Sequence, residues 1–335
     1  MAPRIVIVGA GMAGLACADA LAAAGAQVTL VDKGRAPGGR MSTRRVETAL
    51  GEAAFDHGAQ YFTARDDRFL SRVAHWAAEG IVSRWPEAGE HAWVARPGMS
   101  ALPRHIAGKH DVLQGRLVRA MVRKLDGWHI RLEEDTVGPF DQAVVALPAE
   151  QAAALLGMCD FTFGRVAASC PSQPCWAGMY VLPEPIAAPP VIRNAGAIGW
   201  AARNNAKPGR SGPEAWIVQA DTNWSKQFLE REPAEVAPLL LEQFGLAIGA
   251  SLPEPLHAVA HRWRYARSGN AAKRYLWSPA LGLGACGDWL IGPRVENAWL
   301  SGDALGAAMI ETMRDHRSAP GRASGIGIGV DRASA

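Results

Sequence analysis

No stretch of the sequence approaches the roughly 18–20 consecutive apolar residues needed to cross a bilayer, which excludes a transmembrane helix and predicts no membrane partner. Charge of one sign is nearly absent as a surplus. Lys and Arg total 35 against 32 Asp and Glu, a formal net charge of +3, too small to mark a nucleic-acid binder. Cysteine is sparse: the five residues are scattered and odd in number, which argues against a closed disulfide framework. The nearest pair, Cys170 and Cys175, is not spaced as CxxC. Buried thiols in a reducing compartment are the expectation. The apolar segment Ile5–Val8 runs straight into Gly9-Ala10-Gly11 with no cleavage pattern, so it is not read as a signal peptide and a cytoplasmic protein is expected. No internal repeat occurs. What remains is 335 residues, 49% apolar and 20% charged, close to globular averages. Such a chain exceeds the usual single-domain size and buries roughly 75% of its unfolded surface without staples.

The first 32 residues read as strand, helix, strand. Arg4–Val8 is an apolar run fit for a buried parallel strand. A glycine turn follows, then an Ala- and Leu-rich helix from Met12 to Ala24 with Gly25 as its stop. Gln27–Val31 forms the second strand, ending in Asp32, and a Gly-, Pro- and Arg-rich loop runs from Lys33 to Arg45. Further on, Asp67–Glu79 carries a helical apolar stripe. Val118–Lys124 and Trp128–Leu132 read as a hairpin around Asp126-Gly127. Gln142–Leu147 and Leu281–Cys286 read as strands, and Glu150–Leu156 and Val295–Met313 as helices. Residues 160–280, rich in Pro and Trp, read as a second domain inserted into the first.

The chemistry begins at Gly9-x-Gly11-x-x-Gly14. Placed between a strand and a helix, this is a dinucleotide fingerprint. Gly9 allows the tight turn, Gly11 lets backbone approach a pyrophosphate, and Gly14 lets helix and strand pack closely. The helix N-terminus offers partial positive charge to phosphate, and Asp32 can accept from a ribose hydroxyl. The motif does not distinguish NAD from FAD.

The following segment does. Pro37-Gly38-Gly39-Arg40-Met41 resembles the flavoprotein amine-oxidase superfamily, in which it meets the FAD phosphates; an arginine fork suits such a contact. Five further blocks resemble the bacterial renalase-like oxidoreductases of that superfamily, in the same order. They are Phe55–Arg65, Trp93–Ser100, Trp200–Arg210, Ala260–Arg267 and the run from Cys286-Gly287-Asp288-Trp289 through Arg294–Gly302. The resemblance implies an α/β fold: a Rossmann-like FAD-binding domain with an inserted mixed or antiparallel-sheet substrate domain, an amine-oxidase and p-hydroxybenzoate-hydroxylase-like architecture. The expected FAD domain is discontinuous, over 1–75, 95–158 and 281–316. Residues 76–94 and 159–280 form the substrate domain, and 317–335 a flexible tail.

The resemblance implies noncovalent FAD held by Gly9, Gly11, Met12, Ala13, Gly14, Asp32, Lys33, Gly39 and Arg40. Gly58, Ala59, Gln60 and Tyr61 line the isoalloxazine, Val118 meets the adenine side, and Asp288, Asn297 and Ala298 meet the ribityl and N1 edges. The substrate pocket takes Gln60, Tyr61, Arg96, Trp200, Arg203, His261 and Trp289. Tyr61 and His261 act as catalytic residues orienting a ring, while Arg96 or Arg203 meets carboxamide or phosphate. The implied reaction takes a hydride from 2- or 6-dihydro isomers of NAD(P)H, with dioxygen or another acceptor receiving the electrons. Amine oxidation, or a non-catalytic flavin-binding redox role, is the alternative.

Two departures bear on the pocket. Asn297 stands where glycine is expected and adds a side chain beside the flavin, and the stretch between Trp85 and Trp93 is short. His257 and His261 are four apart, but the alternation between them reads as a strand, so no metal site is expected. Cys286 lies beside the flavin motif without implying a covalent bond. Most of the twelve tryptophans are expected in cores or domain interfaces. Arg203, Lys207 and Arg210 either meet a substrate phosphate or sit on a solvated loop.

Overall fold

The computed structural model describes residues 2–318. Its centre is a six-stranded sheet. In spatial order the strands are Leu276–Ser278, Leu283–Ala285, Gln142–Val145, Arg4–Val8, Gln27–Asp32 and Asp111–Gln114. All neighbours run parallel except the first pair. Arg4–Val8 is apolar throughout because both faces are covered. Ile5 and Ile7 face a core with Leu15 and Leu21 of the helix Met12–Ala23. Val6 and Val8 face a second core with Trp128, Ile130 and Leu156. The second face is covered by a three-stranded antiparallel sheet, Ala120–Lys124, Gly127–Arg131 and Thr136–Phe140, and by the helices Ala149–Gly157 and Phe161–Ala168.

The helix Met12–Ala23 packs against the closing helix Val295–Ser318. The approach is close enough that a Cβ on Gly302 would collide with the Ala13 carbonyl. The closing helix extends past the expected Met313 to Ser318, so 317 and 318 are helical; the remainder of the expected tail, from 319 on, lies outside the described residues. The hairpin strand expected from Val118 begins at Ala120. Arg119 still bonds Arg131, while Val118, 9% exposed, packs in the second core ahead of the strand.

A five-stranded antiparallel sheet stands apart from this unit, ordered Val191–Ala195, Ile198–Arg203, Ala215–Ala220, Gln173–Val181, His257–Arg267. One face packs Trp176, Tyr180, Trp216 and Val218 against Val236, Leu240 and Phe244 of the helix Pro233–Ile248. The other face joins the first core through Met179, Val181, Trp200 and Ile217. Period-two alternation therefore decides which side chains reach the space between the two sheets. A two-stranded ribbon, Thr43–Thr48 with Gly51–Asp56, and a three-stranded sheet, Phe62–Thr63, Ala92–Ala95 and Val82–Arg84, fill the junction. The fold is α/β with mixed and antiparallel sheets, as the motif order predicts. Among the described residues no helix is long and apolar enough to cross a membrane.

Candidate flavin and substrate site

The strand order reverses around Arg4–Val8, which has Gln27–Asp32 on one side and Gln142–Val145 on the other. Ligands of doubly wound sheets bind at the carboxyl ends of such strands. There the turn Gly9–Gly14 begins the helix Met12–Ala23. Gly9 takes φ +109° with the Ala146 carbonyl against its missing Cβ, and a Cβ on Gly14 would collide with the Gly9 carbonyl. Both are glycines for the fold's sake. Gly11 is not: its backbone is extended (φ −78°, ψ 177°), and a Cβ there would meet nothing within 4 Å. The helix has no side-chain cap and no acid in its first turn, so its first N–H groups are left to a ligand. This cradle fits a pyrophosphate.

Around it the chain is drawn tight. Asp32 accepts from Ala10 N–H at 2.7 Å and from Gly34 N–H at 2.6 Å. Gly38 N–H bonds the Ala10 carbonyl at 2.9 Å, which brings the second glycine pair, Gly38 and exposed Gly39, to the first. Lys33 is exposed beside them. Arg40 donates through Nη2 to Asp288 at 2.7 Å and through Nη1 to the Ala266 carbonyl at 3.2 Å. Asn297 is buried, and its amide donates to the Gly292 carbonyl at 3.0 Å. It is tied back to its own loop. Ala298 bonds back to Arg294 in the same turn.

The junction holds a buried charge cluster. The Asp56 carboxylate accepts from Lys207 Nζ at 3.0 Å, from Arg210, from Thr43 at 2.7 Å and from Met99 N–H at 2.8 Å. Both the Asp56 and Lys207 side chains are wholly buried. Burial alone would raise the Asp56 carboxyl, but two cations outweigh it and hold it at about 2. Lys207 has the opposite balance. Burial lowers its ammonium, Asp56 only partly restores it, and Arg210 repels it, leaving it at about 8. Lys207 also donates to Gln60 Oε1 at 3.0 Å, while Gln60 Nε2 donates to the carbonyls of Asp56 and Gly58.

Above this cluster lie aromatic rings. Tyr61 and Trp200 have centroids 5.1 Å apart, Tyr61 and Trp85 6.2 Å, and Trp85 and Trp200 6.1 Å. The short loop between Trp85 and Trp93 supplies Trp85 through the single 3-10 turn Pro86–Ala88. Trp200 belongs to a cross-strand row on the inner face of the five-stranded sheet. Trp200 opposes Gln219, Gln219 opposes Ala177, and Ala177 opposes His261. Gln219 donates to the Gly58 carbonyl at 2.7 Å. His261 contacts Trp263 at 4.5 Å and His57 at 5.0 Å. Burial lowers the His261 imidazole, with Arg44 adding to it. His57 is held down to about 4 by burial, then by His261 and Arg44. Both rings are therefore neutral at pH 7. The buried indole N–H of Trp200 and Nδ1 of His57 have no partner in the protein.

Residues 7–75 match the model of an NAD(P)-binding Rossmann-like domain, and residues 77–304 that of flavin containing amine oxidoreductase. The chain belongs to the flavin containing amine oxidoreductase family. Cyclohexylamine oxidase from Brevibacterium oxydans IH-35A shares the fold at a TM-score of 0.68 and 15% identity, over 94% of this chain and 100% of that one. A redesigned triple mutant of putrescine oxidase does so at 0.68 and 13%, over 92% and 99%. At these identities the likeness is one of fold. Hydroxyneurosporene desaturase of Cereibacter sphaeroides is 61% identical over 41 residues, 12% of this chain and 8% of that protein. The enzyme of the same description from Rubrivivax gelatinosus is 50% identical over 62 residues, 18% and 11%. The chain thus matches only a small part of these relatives' lengths.

In this member of the family the fold sorts the expected pocket residues. Tyr61 and Trp200 come together, while His261 lies three strands along the same row, against His57 and Trp263. Arg203 does not join them: three residues from Trp200 on one strand, it points to the opposite face. There it lies over Trp216 and bonds Glu214 at 2.9 Å and the carbonyls of Ile186 and Ala188. Trp289 is fully buried in the second core, its indole donating to the Leu147 carbonyl at 3.1 Å. Arg96 is exposed and lies across Gly209 on the outside of the loop. Gln60 spends its amide on Lys207 and two carbonyls. Lys207 and Arg210 are neither on a solvated loop nor free for phosphate; Asp56 binds both. Sequence reading missed Trp85, Gln219 and the role of Asp56. The first two depend on strand register, which single residues do not announce. The third had a signal: Asp56 and Lys207 both lie inside blocks that carry the family resemblance.

The strand His257–Arg267 carries His257 and His261 as alternation predicts. Among the described residues no group of three or more His, Cys, Asp or Glu side chains is placed to hold a metal ion. The five cysteines are free thiols.

Proposed function

We propose that this protein is a renalase-like FAD-dependent oxidase that takes a hydride from 2- or 6-dihydro isomers of NAD(P)H and returns NAD(P)+. The observation that supports this reading over amine oxidation is the charge of the aromatic face. Tyr61, Trp85, Trp200 and Gln219 are uncharged, His57 and His261 are neutral at pH 7, the charges that do reach the rings are cations (Arg193 over Trp200, Lys207 over Trp85), and the Asp56 carboxylate is enclosed by Lys207 and Arg210. An ammonium substrate finds no counter-ion there, whereas a neutral dihydropyridine finds aromatic surface.

Noncovalent FAD, when bound in the cradle described above, supplies the hydride acceptor and passes the electrons to dioxygen. The residues of this chain supply placement. Gly11 and the first N–H groups of the helix Met12–Ala23 receive the pyrophosphate, and Arg40 and Asp288 flank it. Val118 lies on the adenine side. Trp200 and Tyr61 bound the substrate ring, and His261, its imidazole uncharged, orients it. No strong base is needed, because a dihydropyridine regains an aromatic ring on losing hydride and positioning then carries most of the rate. The two sheets correspond in this reading to an FAD domain and a substrate domain, in the cytoplasm.

The balanced reaction is dihydro-NAD(P), dioxygen and one proton giving NAD(P)+ and hydrogen peroxide. Oxygen-electrode assays with an isomer mixture test it. One peroxide per NAD(P)+ formed, with no oxygen uptake on primary amines, is the expected result. Oxygen uptake on amines alone assigns the protein to amine oxidation instead.

A further inference from the structure

Lys207 follows the strand Ile198–Arg203 yet reaches across to the turn that follows Gly51–Asp56. Its side chain is wholly buried, its Nζ 5.3 Å from the centre of the Trp85 ring. An ammonium can only donate, so Gln60 must turn its Oε1 toward Lys207 and its Nε2 toward the carbonyls of Asp56 and Gly58. The Gly58 carbonyl is then held twice, by Gln60 at 3.2 Å and by Gln219 at 2.7 Å. Lys207 thus stands at the end of a chain of hydrogen bonds that fixes the Gly58–Tyr61 turn to the five-stranded sheet. Asn204, three residues earlier, adds a second tie by donating to the Ala54 carbonyl at 2.6 Å.

The charges in this cluster do not balance. The charged groups facing Lys207 are Asp56, from the ribbon, and Arg210, from its own loop. One carboxylate serves two cations, which leaves one unit of positive charge in a dry interior. We propose that Lys207 is a positioning residue that sets the Gly58–Tyr61 turn against the flavin, and that the surplus charge of its cluster favours the reduced cofactor. The proposal rests on the flavin lying against that turn. Reduction adds negative charge to the ring system, and fixed positive charge in a low-dielectric site stabilises it. Because the Lys207 ammonium is lowered to about 8, the surplus is present at neutral pH and is lost as pH rises through that value.

The test is an anaerobic dithionite titration of the bound flavin's midpoint potential at pH 6.5 and 9.5, in wild type, Lys207→Met and Lys207→Arg. Dithionite replaces any substrate, so a failure of the dihydropyridine reading leaves the result interpretable. At pH 6.5 wild type is expected to favour reduced flavin about tenfold more than Lys207→Met, about 30 mV for a two-electron couple. At pH 9.5 that difference disappears. Lys207→Arg, whose charge does not titrate, keeps it at both pH values and restores the wild-type flavin absorption spectrum that Lys207→Met shifts. Equal potentials in wild type and Lys207→Met at pH 6.5 overturn the proposal. Should Lys207→Met lose its flavin, wild type and Lys207→Arg decide alone: they must diverge above pH 8, and parallel behaviour to pH 9.5 overturns it.

Discussion

Trp200 and His261 stand in one cross-strand row of the five-stranded sheet, linked through Gln219 and Ala177 on the face that looks toward the nucleotide unit. Opposed residues of antiparallel strands share a face, so the indole and the imidazole, three strands apart, lie on one face of the sheet. Replacing either by Ala is expected to slow flavin reduction by the substrate at least about tenfold, through lost ring placement. Rapid mixing with dihydro isomers reads this directly. Arg203→Ala, on the opposite face, is expected to lower the melting temperature while leaving substrate affinity within about twofold.

Gly11 separates cofactor from fold. Ala is free to adopt its φ and ψ, and a Cβ there touches no protein atom within 4 Å. Gly11→Ala should therefore leave apoprotein stability within about 0.5 kcal/mol of wild type and weaken FAD binding by an order of magnitude or more. Gly14→Ala, whose Cβ collides with the Gly9 carbonyl, should lose the fold as well. Denaturant unfolding of apoprotein beside FAD titration distinguishes the two.

Asp56 holds two buried cations. Asp56→Asn leaves Lys207 and Arg210 facing one another without a counter-charge, and removing one partner of a buried pair typically destabilises by about 3–5 kcal/mol. The expected result in urea is a fall in the midpoint with an unchanged slope. Retained stability would mean that water or rearrangement replaces the carboxylate.

His57 makes the protein acid-sensitive. Its folded imidazole is lowered from 6.5 to about 4, chiefly by burial. Between those values the unfolded chain binds a proton that the folded chain refuses. Stability is thus full above pH 6.5 and falls as the pH drops toward 4, by about 3 kcal/mol from this group. His57→Gln should flatten that portion of the stability curve; an unchanged slope would show that other groups carry it.

The nucleotide unit was legible because its signals are local. A strand, three glycines, a helix and a terminal acid lie within the first 32 residues, and each residue has its own steric or electrostatic reason. The aromatic face was half legible. Tyr61, Trp200 and His261 lay in recognisable blocks, but Arg203 and Trp289 lay in the same blocks and face elsewhere. Strand parity removes Arg203, and core packing against Leu290 and Leu147 removes Trp289. Neither is visible without the strand register. Lys207 was misread because a Lys-Pro-Gly-Arg segment has the composition of a surface loop, and only the tertiary pairing with Asp56 buries it.

The most direct test of the functional reading is anaerobic. The flavin-loaded protein is mixed rapidly with borohydride-reduced NAD+, which contains several dihydro isomers, beside ordinary β-NADH and a panel of primary amines. Fast bleaching of the flavin by the isomer mixture, and not by either control, is the predicted result. Bleaching by an amine alone would contradict the account, because the face around Trp200 and His261, which already carries Arg193 over the Trp200 ring, would then be receiving a cation with no counter-ion to hold it.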